Sequence, residues 1–348
     1  MISALGNGGG LATLMAGVQR MQGEQQTLAA QASSGLISDD ISGLGARAGS
    51  VLRLQPQLSA LSACQGAMTQ AQAGLSVSAT ALTGMQDIAT SLSTSLVALQ
   101  SDGSTDKLSA VTGAALAGLS NIKSLLNTQS AGRYVFSGTA SDMPVIESGA
   151  DLSSGTLADA VQSALNDNPE DASAAMSAIL AAAGSDIPFS SSLTSVPATA
   201  LQSSTVTGPQ ARQATGYVAT SAGTSSDVST GSPVRDLIAG LSVLAGLSPT
   251  QLQTAQSSGL LSKLGQMVSS AASGLVDANA GIGAQQQALT AQSSVSQMMS
   301  TALSTQYGDL TDVDLATVAT QQSAVQSQLT ASYSLIADMK NLSLAAYL

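Results

Sequence analysis

Histidine and tryptophan are absent from this 348-residue chain, and its one cysteine, Cys64, stands alone. Without an imidazole or a second thiol, neither the familiar catalytic triads nor a transition-metal site of nitrogen and sulfur ligands can be assembled. The single thiol excludes an internal disulfide and reads as a small buried apolar residue beside Leu61 and Met68. Five tyrosines and two phenylalanines are too few for an aromatic sugar-binding platform, which weakens a paired-carboxylate glycosidase. The core must therefore be built from Leu, Val, Ile, Met and Ala. No compact acidic or metal-ligating cluster is visible either, so no enzymatic activity, no cofactor and no metal are expected.

Charge is scarce as well. Only 9% of residues are charged, with 10 basic against 21 acidic, a net charge of -11 and a pI near 4.1. The basic residues are scattered, and without a basic stripe to release counterions no nucleic-acid partner is expected. Mean hydropathy is positive at +0.25, yet the best apolar stretch, Leu237 to Leu247, is about half the length needed to span a bilayer. It reads as a packed helix, and no membrane insertion is expected. The first basic side chain is Arg20 and the opening Met1 to Gly10 is glycine-rich, so no cleavable secretory leader is expected. Gly6-Asn7-Gly8-Gly9-Gly10 lacks the Lys and Ser or Thr of a phosphate loop and reads as a flexible start.

What the chain has is helical periodicity at both ends. Leu11, Leu14, Val18, Met21, Gln25, Leu28 and Ala32 follow alternating spacings of three and four, a heptad seam that predicts an amphipathic helix ending near Ser34-Gly35. Gly35 is a suitable stop, and Ser38-Asp39-Asp40 offers side chains to cap a following helix. That second helix is expected from about Ala46 to Leu99, with Pro56 as a kink in its early part. Another runs through Leu108, Val111, Leu116, Leu119, Ile122 and Leu126. Toward the other end, Leu264, Val268, Ala271, Leu275, Ala278, Ile282, Leu289, Met299 and Leu303 keep helical spacing. A break is expected at Tyr307-Gly308, and a last helix from Thr311 to Tyr347 with Asp309, Asp312 and Asp314 in its first turns. Its seam is Leu315, Val318, Gln322, Val325, Leu329, Ser332, Ile336 and Met339.

Between these ends, Thr139 to Gly231 is rich in Ser, Thr, Gly, Pro and Ala, with nine acidic side chains and one basic, Arg212. Strands are expected at Arg133 to Ser137, Ile187 to Ser190 and Gly216 to Thr220, and helices at Leu157 to Leu165 and Pro169 to Ala183. The expected fold is mainly α: a long antiparallel coiled-coil and helical-bundle stalk made from both chain ends, with an inserted α+β central domain. The expected divisions are a terminal helical polymerisation region (1–49 and 305–348), a helical-bundle stalk (50–138 and 232–304) and an exposed domain (139–231). Gln25, Ala32, Gln322 and Ser332 weaken each seam, so both ends are expected to order fully only against neighbouring chains.

The run from Gln31 to Asp40, with its Ala-Ser-Ser-Gly turn and paired acids, resembles the N-terminal region of the flagellin family. Asp314-Leu315-Ala316, Leu329-Thr330-Ala331-Ser332-Tyr333 and Asn341-Leu342-Ser343-Leu344 resemble that family's C-terminal helix. Gly132-Arg133-Tyr134-Val135-Phe136-Ser137-Gly138-Thr139, Gly281-Ile282-Gly283-Ala284 and the ending Leu344 to Leu348 resemble hook-associated members rather than filament flagellin. Ile41 departs from the family, which usually has Pro after the paired acids, and so does the Gly6 to Gly10 segment. The resemblance spans roughly 11 to 140 and 232 to 348. It implies a secreted, extracellular structural subunit, exported unfolded through the type III channel and self-associating in a ring or helical lattice. Its implied place is the junction of hook and filament, with hook protein, other hook-associated proteins, flagellin and an export chaperone as partners. The seam residues Leu11, Leu14, Val18, Met21, Leu28, Leu315, Val318, Val325, Leu329, Ile336 and Met339 would form the assembly interface. Filament flagellin and, in another class, a secreted adhesin that binds through the central domain are the alternatives.

Overall fold

The computed structural model describes the backbone of residues 3–345 apart from 102, 103 and 209, and the side chains of 12–338 apart from the same three. Among the described residues, ten α-helices run in chain order: α1 (Ser3–Ser34), α2 (Ala48–Ser101), α3 (Thr105–Leu126), α4 (Thr156–Asp167), α5 (Ala172–Ser185), α6 (Ser191–Thr194), α7 (Pro233–Gly246), α8 (Pro249–Ser258), α9 (Leu260–Thr311) and α10 (Leu315–Ala345). Two antiparallel hairpins interrupt them, β1 (Gln129–Ser130) with β2 (Arg133–Tyr134), and β3 (Ser203–Val206) with β4 (Arg212–Thr215). The fold is thus mainly α, with long helices from both ends and an inserted α+β segment. The chain divides into two compact units, Met1–Ser62 with Gln297–Leu348, and Ala63–Ser296. No described helix is long and apolar enough to cross a membrane.

The larger unit is organised around α7. Val234, Leu237, Ile238, Ala239, Leu241, Val243 and Leu244 are all buried, so the helix is apolar on every side and lies inside the unit. The apolar stretch Leu237 to Leu247 is thus a packed helix, against α3, α4 and α5. Its first turn solves the problem of a buried charge locally. The Asp236 carboxylate is buried and accepts from the Ser229 hydroxyl (2.5 Å), the Thr230 amide (2.8 Å) and the Thr230 hydroxyl (2.6 Å). Arg235 beside it donates to the carbonyls of Ala183 and Gly184 at the end of α5 and lies 4.9 Å over the Phe189 ring. Burial holds its guanidinium below the usual value. The next helix, α8, starts with a reciprocal capping box between Ser248 and Gln251.

One apolar cluster joins the long helices to the inserted segment: Leu119, Ile122 and Leu126 of α3 share it with Phe136, Ile146, Met176 and Ile179. The region expected as a separate domain therefore has a core continuous with the helices that flank it. Phe136 and Tyr217 meet edge to face, with centroids 6.5 Å apart and planes at 83°. The Tyr217 hydroxyl is enclosed with no hydrogen-bond partner, and burial pushes its pKa up to about 12. Cys64 is a buried free thiol.

Several local expectations differ from the structure. A 3-10 segment, Ile41–Arg47, precedes α2, and Asp40 stands before it without a side-chain cap bond. Pro56, by contrast, lies in the early part of α2, where it was expected. The helix expected to break at Tyr307-Gly308 continues to Thr311, so Asp309 belongs to α9 rather than to α10. Strand pairing at Arg133 to Ser137 is confined to Arg133 and Tyr134, and Ile187 to Ser190 contributes a single bridge, Phe189 with Ile146. Gly216 to Thr220 forms no strand. Val218 and Ala219 are both buried, which a half-buried strand's alternation forbids, and Ala219 is held by one amide bond to Phe136 O (3.0 Å). The strand lies just before it, as β4, and pairs with β3, which its Ser-Ser-Thr-Val sequence did not announce.

Two turns test this backbone reading in opposite directions. Gly138 has φ 61° and an added Cβ would collide with the Leu201 carbonyl, so Gly138→Ala is expected to lower unfolding stability by about 1–3 kcal/mol or more. In the β1–β2 turn, Ala131 (φ 50°) and Gly132 (φ 76°) are both left-handed, a conformation that favours Asn-Gly. Ala131→Asn is expected to raise stability by about 1 kcal/mol. Denaturant midpoints of the two variants, shifted to opposite sides of the parent, are the check.

Candidate assembly interface

The smaller unit pairs the two chain ends. Helix α1 stops at Ser34 because Gly35 turns to φ 72°, its amide still bonded to Gln31 O (2.9 Å). The chain then bridges to the start of the C-terminal segment: Leu36 pairs antiparallel with Asp312, Ile37 N donates to Thr311 O (2.7 Å), and Val313 N donates to Gly35 O (2.9 Å). The Gln31 side chain closes the turn by donating to Ile37 O (2.8 Å). Farther along, Gln22 donates to the Tyr333 hydroxyl (2.8 Å), so α1 and α10 run antiparallel from this clasp. Asp312 is thus in the clasp rather than in α10: it faces Leu36, and the bonds of the bridge are made on either side of it, at Thr311 O and Val313 N.

Asp314 sets the first turn of α10. Its carboxylate accepts from the Ala316 amide (2.9 Å), the Thr317 amide (3.4 Å) and the Thr317 hydroxyl (2.9 Å). The Thr317 hydroxyl, then the two amides, hold the carboxyl below its ordinary value of 3.8. Asp314 is the one acid of the three expected there that acts as a cap.

Along the seam, Val18 and Leu28 of α1 are buried with Val318, Val325 and Leu329 of α10, and Met21, Val313 and Ile336 pack against them half-exposed. Leu14 is half-buried. Leu315 departs from the heptad reading: it is 55% exposed, and Val313 in the clasp takes the place it was expected to fill. The side chains of Leu11 and Met339 lie outside the described residues, as do the glycine-rich start and the Ala346-Tyr347-Leu348 ending. Met15, Tyr333 and Leu335 are at least half exposed. Periodicity missed these three because they sit off the heptad positions, although exposed large apolar side chains are what a second surface requires.

Over the described side chains, 12–34 of α1 and 315–338 of α10, the two helices thus bury five apolar side chains between them. Gln25, Gln322 and Ser332 occupy seam positions half-buried and add no apolar area. The pair is consequently a thin contact that leaves apolar side chains facing outward. Among the described residues no group of three His, Cys, Asp or Glu is placed to hold a metal ion.

Residues 11–141 match the family described as the bacterial flagellin N-terminal helical region. No curated protein matches the chain. Among solved structures, it is similar to one described as a flagellar hook-associated protein from Vibrio parahaemolyticus. The two share 14% identity with a TM-score of 0.53, over 78% of this chain and 99% of the other. That likeness is one of fold.

The Asp314 cap gives a pH test. Because its pKa is lowered on folding, its contribution is present above the ordinary carboxylate value of 3.8 and is lost as pH falls through the lower folded value. Amide exchange in the first turns of α10 is expected to accelerate below that pH. Asp314→Ala is expected to show the fast exchange already at neutral pH, with the amides of α7 unchanged. Hydrogen exchange read by mass spectrometry checks both.

Proposed function

We infer that this chain belongs to the flagellin family, whose N-terminal helical region matches residues 11–141, and is a structural building block of the bacterial flagellum that assembles through its paired end helices. The observation that carries the reading is the α1–α10 pair, which buries little within the chain and leaves Met15, Leu315, Tyr333 and Leu335 outward. A helical or ring lattice needs each subunit to present two complementary surfaces. One helix of an antiparallel pair supplies each. Few charges lie on either seam, so packing against neighbours avoids the cost of burying ions.

Within the flagellum, our reading is the junction between hook and filament. Its supports are the Gly132 to Thr139 segment, which resembles hook-associated members, and the fold shared with a flagellar hook-associated protein. The partners would then be hook protein, the other hook-associated proteins and flagellin, with further copies of the chain in a ring and an export chaperone before assembly. Secretion through the type III channel and an extracellular place on the appendage follow from the same reading. Filament flagellin is the second reading, favoured by the N-terminal family match at 11–141. Electron microscopy of a null strain separates them. Hooks without filaments and flagellin shed into the medium support a junction subunit made in few copies. Loss of the filament's own substance, with labelled protein along the whole appendage, supports the flagellin.

Two substitutions separate the seam from the outward face. Leu28 is buried, so Leu28→Asp is expected to open the α1–α10 pair at a cost of several kcal/mol. Leu315 is exposed, so Leu315→Asp is expected to change monomer stability by no more than about 0.5 kcal/mol. Both are expected to abolish assembly while the Ala63–Ser296 unit stays folded. Normal filaments and motility in both variants would remove the end helices as the joint.

A further inference from the structure

Within the larger unit, α2 and the two hairpins enclose an open groove of about 530 Å³. All four residues of β3, Ser203 to Val206, line it. Side chains alternate between the two faces of a strand, so a cavity touched by four consecutive residues meets the strand along its edge. Among the described residues that edge has no strand partner, since β3 pairs with β4 alone in a two-stranded sheet. An isolated two-stranded hairpin is marginal, and an open edge is a template for a further extended segment.

Charge narrows the choice of segment. Arg133 and Arg212 both line the groove, and no Asp or Glu does. Arg133 is oriented by donating to the Ser141 hydroxyl (2.7 Å), and Arg212 is exposed on β4 opposite Val206. Guanidinium forks are suited to carboxylates, which they bind in two-pronged fashion. This cationic lining belongs to a chain with 21 acidic residues against 10 basic. In residues 139–231 the imbalance is nine to one, and the one is Arg212. The richest source of matching carboxylates is therefore another molecule of the same protein.

We propose that the groove takes an extended, carboxylate-bearing segment from the 139–231 region of a second copy, which adds to the β3 edge and faces Arg133 and Arg212. The backbone of the incoming segment satisfies the open edge, and its acid fixes the register against the two arginines. The proposal rests on the assembly reading above. It assigns a second contact between copies, apart from the end helices.

A photo-crosslinking residue placed at Ser204 of the full chain tests it, with irradiation after assembly, polymer measured by sedimentation and adducts mapped by mass spectrometry. Adducts are expected between copies, on a segment of 139–231 that contains Asp or Glu. The double variant R133A/R212A is expected to lower their yield about tenfold or more. Polymer without such adducts, adducts on other parts of the chain or on another protein, or a yield unchanged in the double variant would overturn the groove and leave the assembly reading standing. If no polymer forms, the assembly reading falls. Adducts of the expected kind in concentrated soluble protein would then still uphold the groove, and their absence would overturn it.

Discussion

The contact on which the smaller unit depends is a seam with too little in it. Val18, Leu28, Val318, Val325 and Leu329 are the only apolar side chains buried there among the described residues, and they serve the described stretches 12–34 and 315–338. Helices in a folded protein gain most of their stability from tertiary packing, so a thin seam leaves the pair open to reinforcement from outside. The backbone clasp at Leu36 and Asp312 compensates in part, because its backbone bonds hold the two ends in antiparallel register. A chain end held this way is aligned for its neighbours without being saturated by its own contacts.

The larger unit obeys the opposite logic. Its central helix α7 is surrounded, the buried Asp236 carboxylate is satisfied by three donors, and its cluster runs from α2 through the inserted segment to α9. Leu, Ala, Val, Ile and Met supply nearly all of that core, as the shortage of aromatic rings requires. Phe136 and Phe189 are exceptions, and each is placed where it organises polar surroundings: Phe136 against Tyr217, Phe189 under Arg235. The difference in packing gives the two units different expected lifetimes against local opening.

Periodicity revealed the long helices because a 3.6-residue repeat sustained over many turns leaves few other solutions. It revealed less where one turn decides. Nothing in Asp309, Asp312 and Asp314 by themselves says which acid caps α10; the clasp with Leu36 decides, and that partner is some 276 residues away in sequence. The Leu315 position shows the same limit, since a heptad count places it inward while Val313 occupies the seam. Strand β3 was illegible for a different reason: Ser203, Ser204 and Thr205 carry no alternation of apolar and polar that distinguishes a strand from a loop. The groove was invisible for another reason: it brings together α2 and two hairpins that lie far apart in the sequence.

Tyr217 gives the larger unit a limit at the alkaline end of the scale. An enclosed phenol without a partner resists losing its proton, whereas in the unfolded chain it ionises near pH 10. The unit is therefore fully supported below that pH and gives up about 2–3 kcal/mol as pH rises from the unfolded value toward 12. With no imidazole anywhere in the chain, no side chain has an ordinary titration midpoint near neutrality. The protein is thus buffered against moderate shifts in the acidity of its surroundings, with its vulnerabilities displaced to the two extremes.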